Sequence, residues 1–351
     1  KQLEEAFVFF MMEIQPKVQE YADKLNRKLI ENPFVKELDS DKYFTYLRNV
    51  KKNIDLYREE NVPLQAELNV MAQQFGVISG KMTVDIKGQE YTLQQASKFL
   101  EDHDRSLREE VYRKISDRRL QDKEKLEELF TQLIAKRHQV ALNAGFKNYR
   151  DYKFAEMGRF DYTKEDCFQF HEAVKQHIMP LANDIYEKKR QKLGLDTLRP
   201  WDTEAEPEGL EPLRPFNNSQ ELLEKSIEAF SRLKPFFGEC LRKMQSMGHL
   251  DLESRKGKAP GGYNCPLAES GAPFIFMNAT STLRDMVTIM HEGGHAIHNF
   301  LTRDLELNDF KSTPSEVAEL ASMSMELISM DHWDVFFSDE AELKRAKRER
   351  L

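Results

Sequence analysis

His291-Glu292-Gly293-Gly294-His295 sets two imidazoles four residues apart with a carboxylate beside the first, and a further carboxylate, Glu319, lies in the next apolar stretch. On an α-helix, residues four apart rise from one face with Cβ atoms about 5–6 Å apart, so both rings can grip one ion. Imidazole and carboxylate at this spacing suit tetrahedral Zn2+, with three protein ligands and one open position. Glu292, one step round the helix from His291, flanks such an ion, which is the place of a general base. The chemistry implied is hydrolysis: the ion lowers the pKa of water toward about 7, and the carboxylate takes the proton as oxygen attacks a peptide carbonyl.

Such a site needs a rigid helix, and the flanking residues supply one. Met286, Val287, Ile289, Met290, Ala296, Ile297, Phe300 and Leu301 make the segment apolar nearly all round, the pattern of a helix buried in a large core. His and Glu buried there without a partner are costly, and a metal satisfies them. Thr282-Leu283-Arg284-Asp285 provides a capping-box start. Gly293 and Gly294 each cost about 1 kcal/mol relative to Ala in a helix, so another backbone is expected to pack tightly against them.

For the third ligand, His298 is disfavoured, because it stands about 10 Å of helix rise from His291. It is expected to be a core or outlying histidine. The next helix is announced by Thr313-Pro314-Ser315-Glu316, an N-cap, a proline at the first helical position and a capping glutamate. Beyond it, Val317, Ala318, Leu320, Ala321, Met323, Met325, Leu327 and Ile328 cover most of the surface and leave one polar stripe of Ser315, Glu319, Ser322 and Glu326. A carboxylate on an otherwise buried helix needs a cation. Glu319 is therefore the expected third ligand, with Glu326 a supporting or structural group.

The run Pro273-Phe274-Ile275-Phe276-Met277-Asn278, the H-E-x-x-H helix and Val317-Ala318-Glu319-Leu320-Ala321-Ser322 together resemble the oligoendopeptidase F branch of the thimet oligopeptidase family. The resemblance implies a zinc endopeptidase that cuts short peptides inside a deep channel of a mostly helical body. It implies His291, His295 and Glu319 as ligands of one Zn2+ per chain and Glu292 as the base. It also implies that the strand near Phe274 to Asn278 lines the cleft and pairs with the substrate backbone. The chain departs from the family at Gly293, where a large apolar residue is usual. The family also continues well past the third-ligand helix, into a part carrying a histidine and tyrosines that stabilise the oxyanion, whereas this chain stops at Leu351. Two alternatives follow: a zinc-binding but catalytically incomplete fragment of such an enzyme, and another glutamate-zincin such as an aminopeptidase.

With 351 residues, 40% of them hydrophobic and 32% charged, the chain is long enough for a substantial core and reads as a helix-rich globular protein. Its net charge of -8 argues against nucleic acid or an anionic membrane as the main partner, leaving oligopeptides as the expected one. Cys167, Cys240 and Cys265 form no C-x-x-C and no even disulfide framework, which suits a reducing, cytoplasmic setting. No run approaches 18 apolar residues. The start at Lys1 without an initiator Met and the abrupt basic end lead us to expect a fragment cut at both sides.

The fold class expected is mainly α: a zincin-like helical peptidase with a small β-hairpin and a short cleft strand beside the H-E-x-x-H helix. Helical spacing runs from Gln2 to Asn32, from Ser40 to Phe75 with a split at Pro63, and from Asp104 to Asn143 with Phe130 and Ile134 among its inward residues. Met82 to Ile86 and Glu90 to Leu93 flank a glycine turn, with Thr92 as a helix cap and Gly145 as a C-cap. Lys164 to Lys192 is helical, with His171 and His177 pointing apart. Ser219 to Met247 is helical too, and Lys256 to Pro273 is irregular, its Pro260-Gly261-Gly262-Tyr263 turn beside the cleft. The expected organisation is an N-terminal helical lobe over 1–193, with the hairpin near 82–93, a connecting loop over 194–218, and a zinc-binding catalytic part over 219–351.

Overall fold

A computed structural model describes residues 2–350, and its first half follows the helical periodicity closely. Helix α1 (Gln2–Phe9) runs through a π turn at Phe10–Ile14 into α2 (Gln15–Glu31). The widened turn has a cause in the sequence: Pro16 lacks an N–H and crowds the preceding turn, so the regular i→i−4 ladder cannot pass it. Helices α3 (Phe44–Leu56) and α4 (Asn61–Gly80) break just ahead of Pro63, which sits in the first turn of α4, where proline is tolerated. Strands β1 (Thr83–Ile86) and β2 (Gln89–Thr92) pair antiparallel with Thr83 opposite Thr92. Lys87 and Gly88, at φ 55° and 81°, form the mirror-image two-residue turn whose twist matches a hairpin. Thr92 then caps α5 (Leu93–Ser97) in a capping box with Gln95.

The single helix expected over Asp104 to Asn143 is two, α6 (Arg105–Leu120) and α7 (Lys123–Asn143). No proline or glycine marks the break. The polar run from Asp117 to Lys123 offers no apolar face to hold a continuous helix against a core, and its one apolar member, Leu120, is exposed. Phe130 and Ile134, expected inward, are also exposed, while Leu129 and Leu133 carry the buried face of α7. Gly145, at φ 85°, closes α7, its N–H reaching the Leu142 carbonyl at 2.9 Å. Asn148 caps α8 (Tyr149–Glu156). Helices α9 (Lys164–Ala173) and α10 (Met179–Lys192) flank a second π turn, again just upstream of a proline, Pro180. Pro235 splits the next predicted helix into α11 (Ser219–Leu233) and α12 (Pro235–Ser246).

Two strands were not foreseen. Strand β3 (Leu250–Glu253) and β4 (Tyr263–Cys265), the latter inside the segment expected to be irregular, flank β5 (Phe274–Ala279) in the order β3-β5-β4. The pairing is parallel with β3 and antiparallel with β4. Helices α13 (Leu283–Thr302), α14 (Asn308–Lys311), α15 (Ser315–Ile328) and α16 (Glu340–Arg350) complete the chain.

The chain forms two compact units, 1–78 with 122–176 and 307–314, and 79–121 with 177–306 and 315–351. In the first, Val140, Ala141, Ala144 and Tyr152 make a small core joined by Leu64 and Leu68. The second holds the larger core, in which Phe230, Leu241, Ile275, Met286, Ile289, Met290 and Trp333 are fully buried. The 194–218 segment lies in this second unit and is pinned by buried Asp202, which accepts hydrogen bonds from Arg105 at 2.8 and 3.0 Å and from Arg108 at 2.8 Å. Burial alone would push the Asp202 carboxyl up, but the two guanidiniums and the Arg199 N–H hold it below the usual carboxylate range. A depressed folded value contributes stability that is present above the unfolded pKa of about 3.9 and lost as pH falls through the folded one. Asp202→Ala strips two cations of their buried partner, so denaturant melts at pH 7 should show a loss of about 3–5 kcal/mol, and a smaller difference from wild type at pH 3.

Candidate active site

Thr282 opens α13 with the predicted capping box: its hydroxyl faces the Asp285 N–H at 3.3 Å, and its own N–H donates to Asp285 at 2.9 Å. The helix is buried along most of its length, with Leu301 exposed near its end. His291 and His295 stack as expected on one face, ring centroids 4.9 Å apart and nearly perpendicular. Across from them α15 brings Glu319, whose carboxylate oxygens lie 3.3 Å from Nε2 of His291 and 3.8 Å from Nε2 of His295. One ligand atom from each of the three falls within 4.8 Å of the others, the only such group of metal-ligand side chains among the described residues. His298, His171 and His177 do not join it. The Ser322 hydroxyl, 3.2 Å from Glu319 Oε2, steadies that carboxylate.

Glu326, one stripe position further along α15, meets the other side of the same ring: its Oε1 is 2.7 Å from Nδ1 of His291. A carboxylate only accepts, so Nδ1 of a neutral His291 carries the hydrogen and Nε2 turns a lone pair toward Glu319. Two lone-pair atoms at that separation repel unless a cation stands between them. Glu292 lies beside the group, 6% exposed, and its Oε2 is buried without a hydrogen-bond partner. Burial pushes its carboxyl up to about 7, with His291 pulling it down and Glu319 adding to the rise. Burial and the neighbouring His291 lower His295. A triad of two imidazoles and a carboxylate is what a divalent cation would satisfy, with the buried Glu292 carboxyl beside it.

The helix glycines have different neighbours. A Cβ at Gly294 would lie 2.8 Å from the Ser322 Cα and 3.1 Å from the Ala321 carbonyl, so the expected close backbone is that of α15. At Gly293 the neighbour is instead a side chain, the Phe230 ring of α11, 2.6 Å from where a Cβ would stand. Phe230 thus fills the space that a large residue at 293 would claim. Gly293→Ala should cost about 1–3 kcal/mol of overpacking in thermal unfolding, and adding Phe230→Leu should recover most of it.

Two expectations need correction. Strand β5 is paired on both sides at Ile275 and Phe276, so its backbone has no free edge at those two residues, and the sheet's outer strands are β3 and β4. Helix α15 is not buried all round: Leu320 is 67% exposed and Val317, Met323, Leu327 and Ile328 about half exposed, while Ser322, Met325 and Glu326 are buried. An apolar pattern marks a face fit for burial, and it does not state what covers that face.

Sequence reasoning also missed Lys258. Its ammonium, buried, donates to Asp251 Oδ1 at 2.9 Å, the Glu253 carbonyl at 2.9 Å and the Met277 carbonyl at 2.5 Å, over the Phe276 ring. Asn278 donates to the Ala259 and Gly261 carbonyls, both at 2.9 Å. Together they fasten the loop whose Gly262 lies against Glu292; a Cβ there would be 3.5 Å from Glu292 Oε1. A lone lysine in a polar loop gives no periodic signal that it will be buried.

Residues 98–351 match the model of peptidase family M3. The chain belongs to that family. Among curated members it is 27% identical over 253 residues to the group B oligopeptidase PepB of Streptococcus agalactiae, covering 69% of this chain and 39% of that protein. It is 27% identical over 157 residues to an oligoendopeptidase F homolog of Lactococcus lactis, covering 45% and 25%. Similarity to solved structures extends over nearly the whole chain. A structure from Bacillus anthracis assigned to oligoendopeptidase F superposes with a TM-score of 0.91 at 26% identity, covering 97% of this chain and 62% of that one. PZ peptidase A with an inhibitor gives 0.91 at 28%, covering 97% and 60%. The chain thus spans less than two thirds of the length of the relatives it matches. No helix among the described residues is long and apolar enough to cross a membrane.

Proposed function

We propose that this M3 chain is a zinc-dependent endopeptidase that hydrolyses internal bonds of short oligopeptides. The reading is carried by the convergence of two imidazoles and the Glu319 carboxylate within 4.8 Å, beside the buried, unpartnered Glu292 oxygen. His291, His295 and Glu319 would hold one Zn2+ per chain, a nitrogen and oxygen donor set that leaves an open position. When bound, zinc supplies Lewis acidity, easing deprotonation of water and polarising a carbonyl oxygen. Glu292 takes the proton from the attacking water as a bond forms to the scissile carbonyl carbon, then returns it to the leaving amine nitrogen as the C–N bond breaks. Edge strand β4, with Gly262 just before it, is the backbone offered to an extended peptide beside that carboxylate. We assign the metal-binding role to α13 and α15, within residues 219–351. The free Cys167, Cys240 and Cys265 suit a cytoplasmic setting.

A second reading takes the same residues as a metal site without turnover. A peptide blocked at both ends and carrying an internal fluorescence quencher separates the readings. Cleavage with zinc and its loss with a chelator support the endopeptidase. Zinc uptake without cleavage selects the second reading, and trimming only of peptides with a free amino terminus would make the chain an aminopeptidase.

A further inference from the structure

Resting on the metal reading above, we propose that Glu326 and Arg350 form a positioning chain that fixes the tautomer and orientation of His291. Three helices contribute one residue each. His291 on α13 meets Glu326 on α15 through Nδ1 and Oε1 at 2.7 Å, and the other carboxylate oxygen, Oε2, accepts from the guanidinium of Arg350 on α16. The Glu326 side chain is 7% exposed and that of Arg350 is 26% exposed, so the carboxylate is gripped from both sides away from bulk water. Glu319 and Glu326 stand two turns apart on one face of α15, and the His291 ring fits between them. One carboxylate faces Nε2 and the other Nδ1.

The division of labour follows from which atoms can donate. Glu326 accepts only, so it selects the Nδ1–H tautomer and leaves the Nε2 lone pair on the side of Glu319 and His295. Arg350 occupies Oε2, which fixes the plane of the carboxylate and through it the ring. His295 has no such chain; its added partner is the Ala318 backbone. Losing the ionic clamp therefore disturbs one ligand specifically. Glu326 and Arg350 are positioning residues, neither of which touches the reacting atoms.

The test titrates the metal-free chain with Zn2+ against a chromophoric chelator, and reads the imidazole tautomers of the metal-free chain by 15N NMR. Wild type should take one equivalent and show His291 protonated at Nδ1. Glu326→Gln should bind zinc about 10–100-fold more weakly and Arg350→Gln about tenfold more weakly, each with a mixed His291 tautomer. The double variant should be no weaker than Glu326→Gln alone, because Arg350 acts only through that carboxylate. Affinities within about twofold of wild type, an unchanged tautomer, or losses that simply add would overturn the proposal. If Glu326→Gln does not fold, the partly exposed Arg350→Gln carries the measurement. If wild type takes up no zinc, the metal reading fails, while the tautomer comparison still judges the chain of contacts.

Discussion

Replacing Glu292 with glutamine should reduce cleavage of an internal peptide bond by about 10²–10⁴-fold, the share general-base catalysis supplies, and leave zinc uptake intact. The substitution keeps the shape and removes the base. Its pocket already disfavours charge: burial raises the Glu292 carboxyl to about 7, and Oε2 has no donor to lose. Glutamine therefore fits without breaking a contact the fold needs, and the loss can be read as chemistry once elemental analysis shows metal still present. Wild-type turnover in that variant would remove Glu292 from the role assigned to it.

The second large effect is on metal binding. His295→Ala and Glu319→Ala each remove one of three donors. If a protein zinc site is worth on the order of 10 kcal/mol, a third of it corresponds to a loss of more than about 100-fold in affinity. His298→Ala is the informative contrast, because that histidine stands outside the cluster and its removal should leave the affinity unchanged. Competition with a chelator measures all three. An equal loss at His298 and His295 would mean that the donor set has been misread. Glu319 is about half exposed at its side chain, so its loss should cost metal with little cost in folding.

Much of this site was legible because its determinants are local. The spacing of His291 and His295, the Thr282 capping box and the polar stripe holding Glu319 all follow from helix geometry within a few residues. The hairpin, with Thr92 as a cap, was legible for the same reason. What the sequence withheld depends on partners distant along the chain. Strands β3 and β4 are four and three residues long, and they exist because β5 lies between them. Neither segment carries an alternation long enough to stand out. The break between α6 and α7 has no helix-breaking residue, only a polar run without a face to bury. Phe230 over Gly293 and Arg350 on Glu326 join residues 63 and 24 positions apart, and no periodicity encodes such pairs.

Zinc-edge anomalous scattering from crystals of the metal-loaded chain addresses the central assignment most directly. The account predicts a single peak bounded by Nε2 of His291, Nε2 of His295 and the Glu319 carboxylate, with Glu292 close by and uncoordinated. A peak elsewhere, one in which Glu292 or His298 replaces Glu319, or no peak in a chain given excess zinc would contradict it.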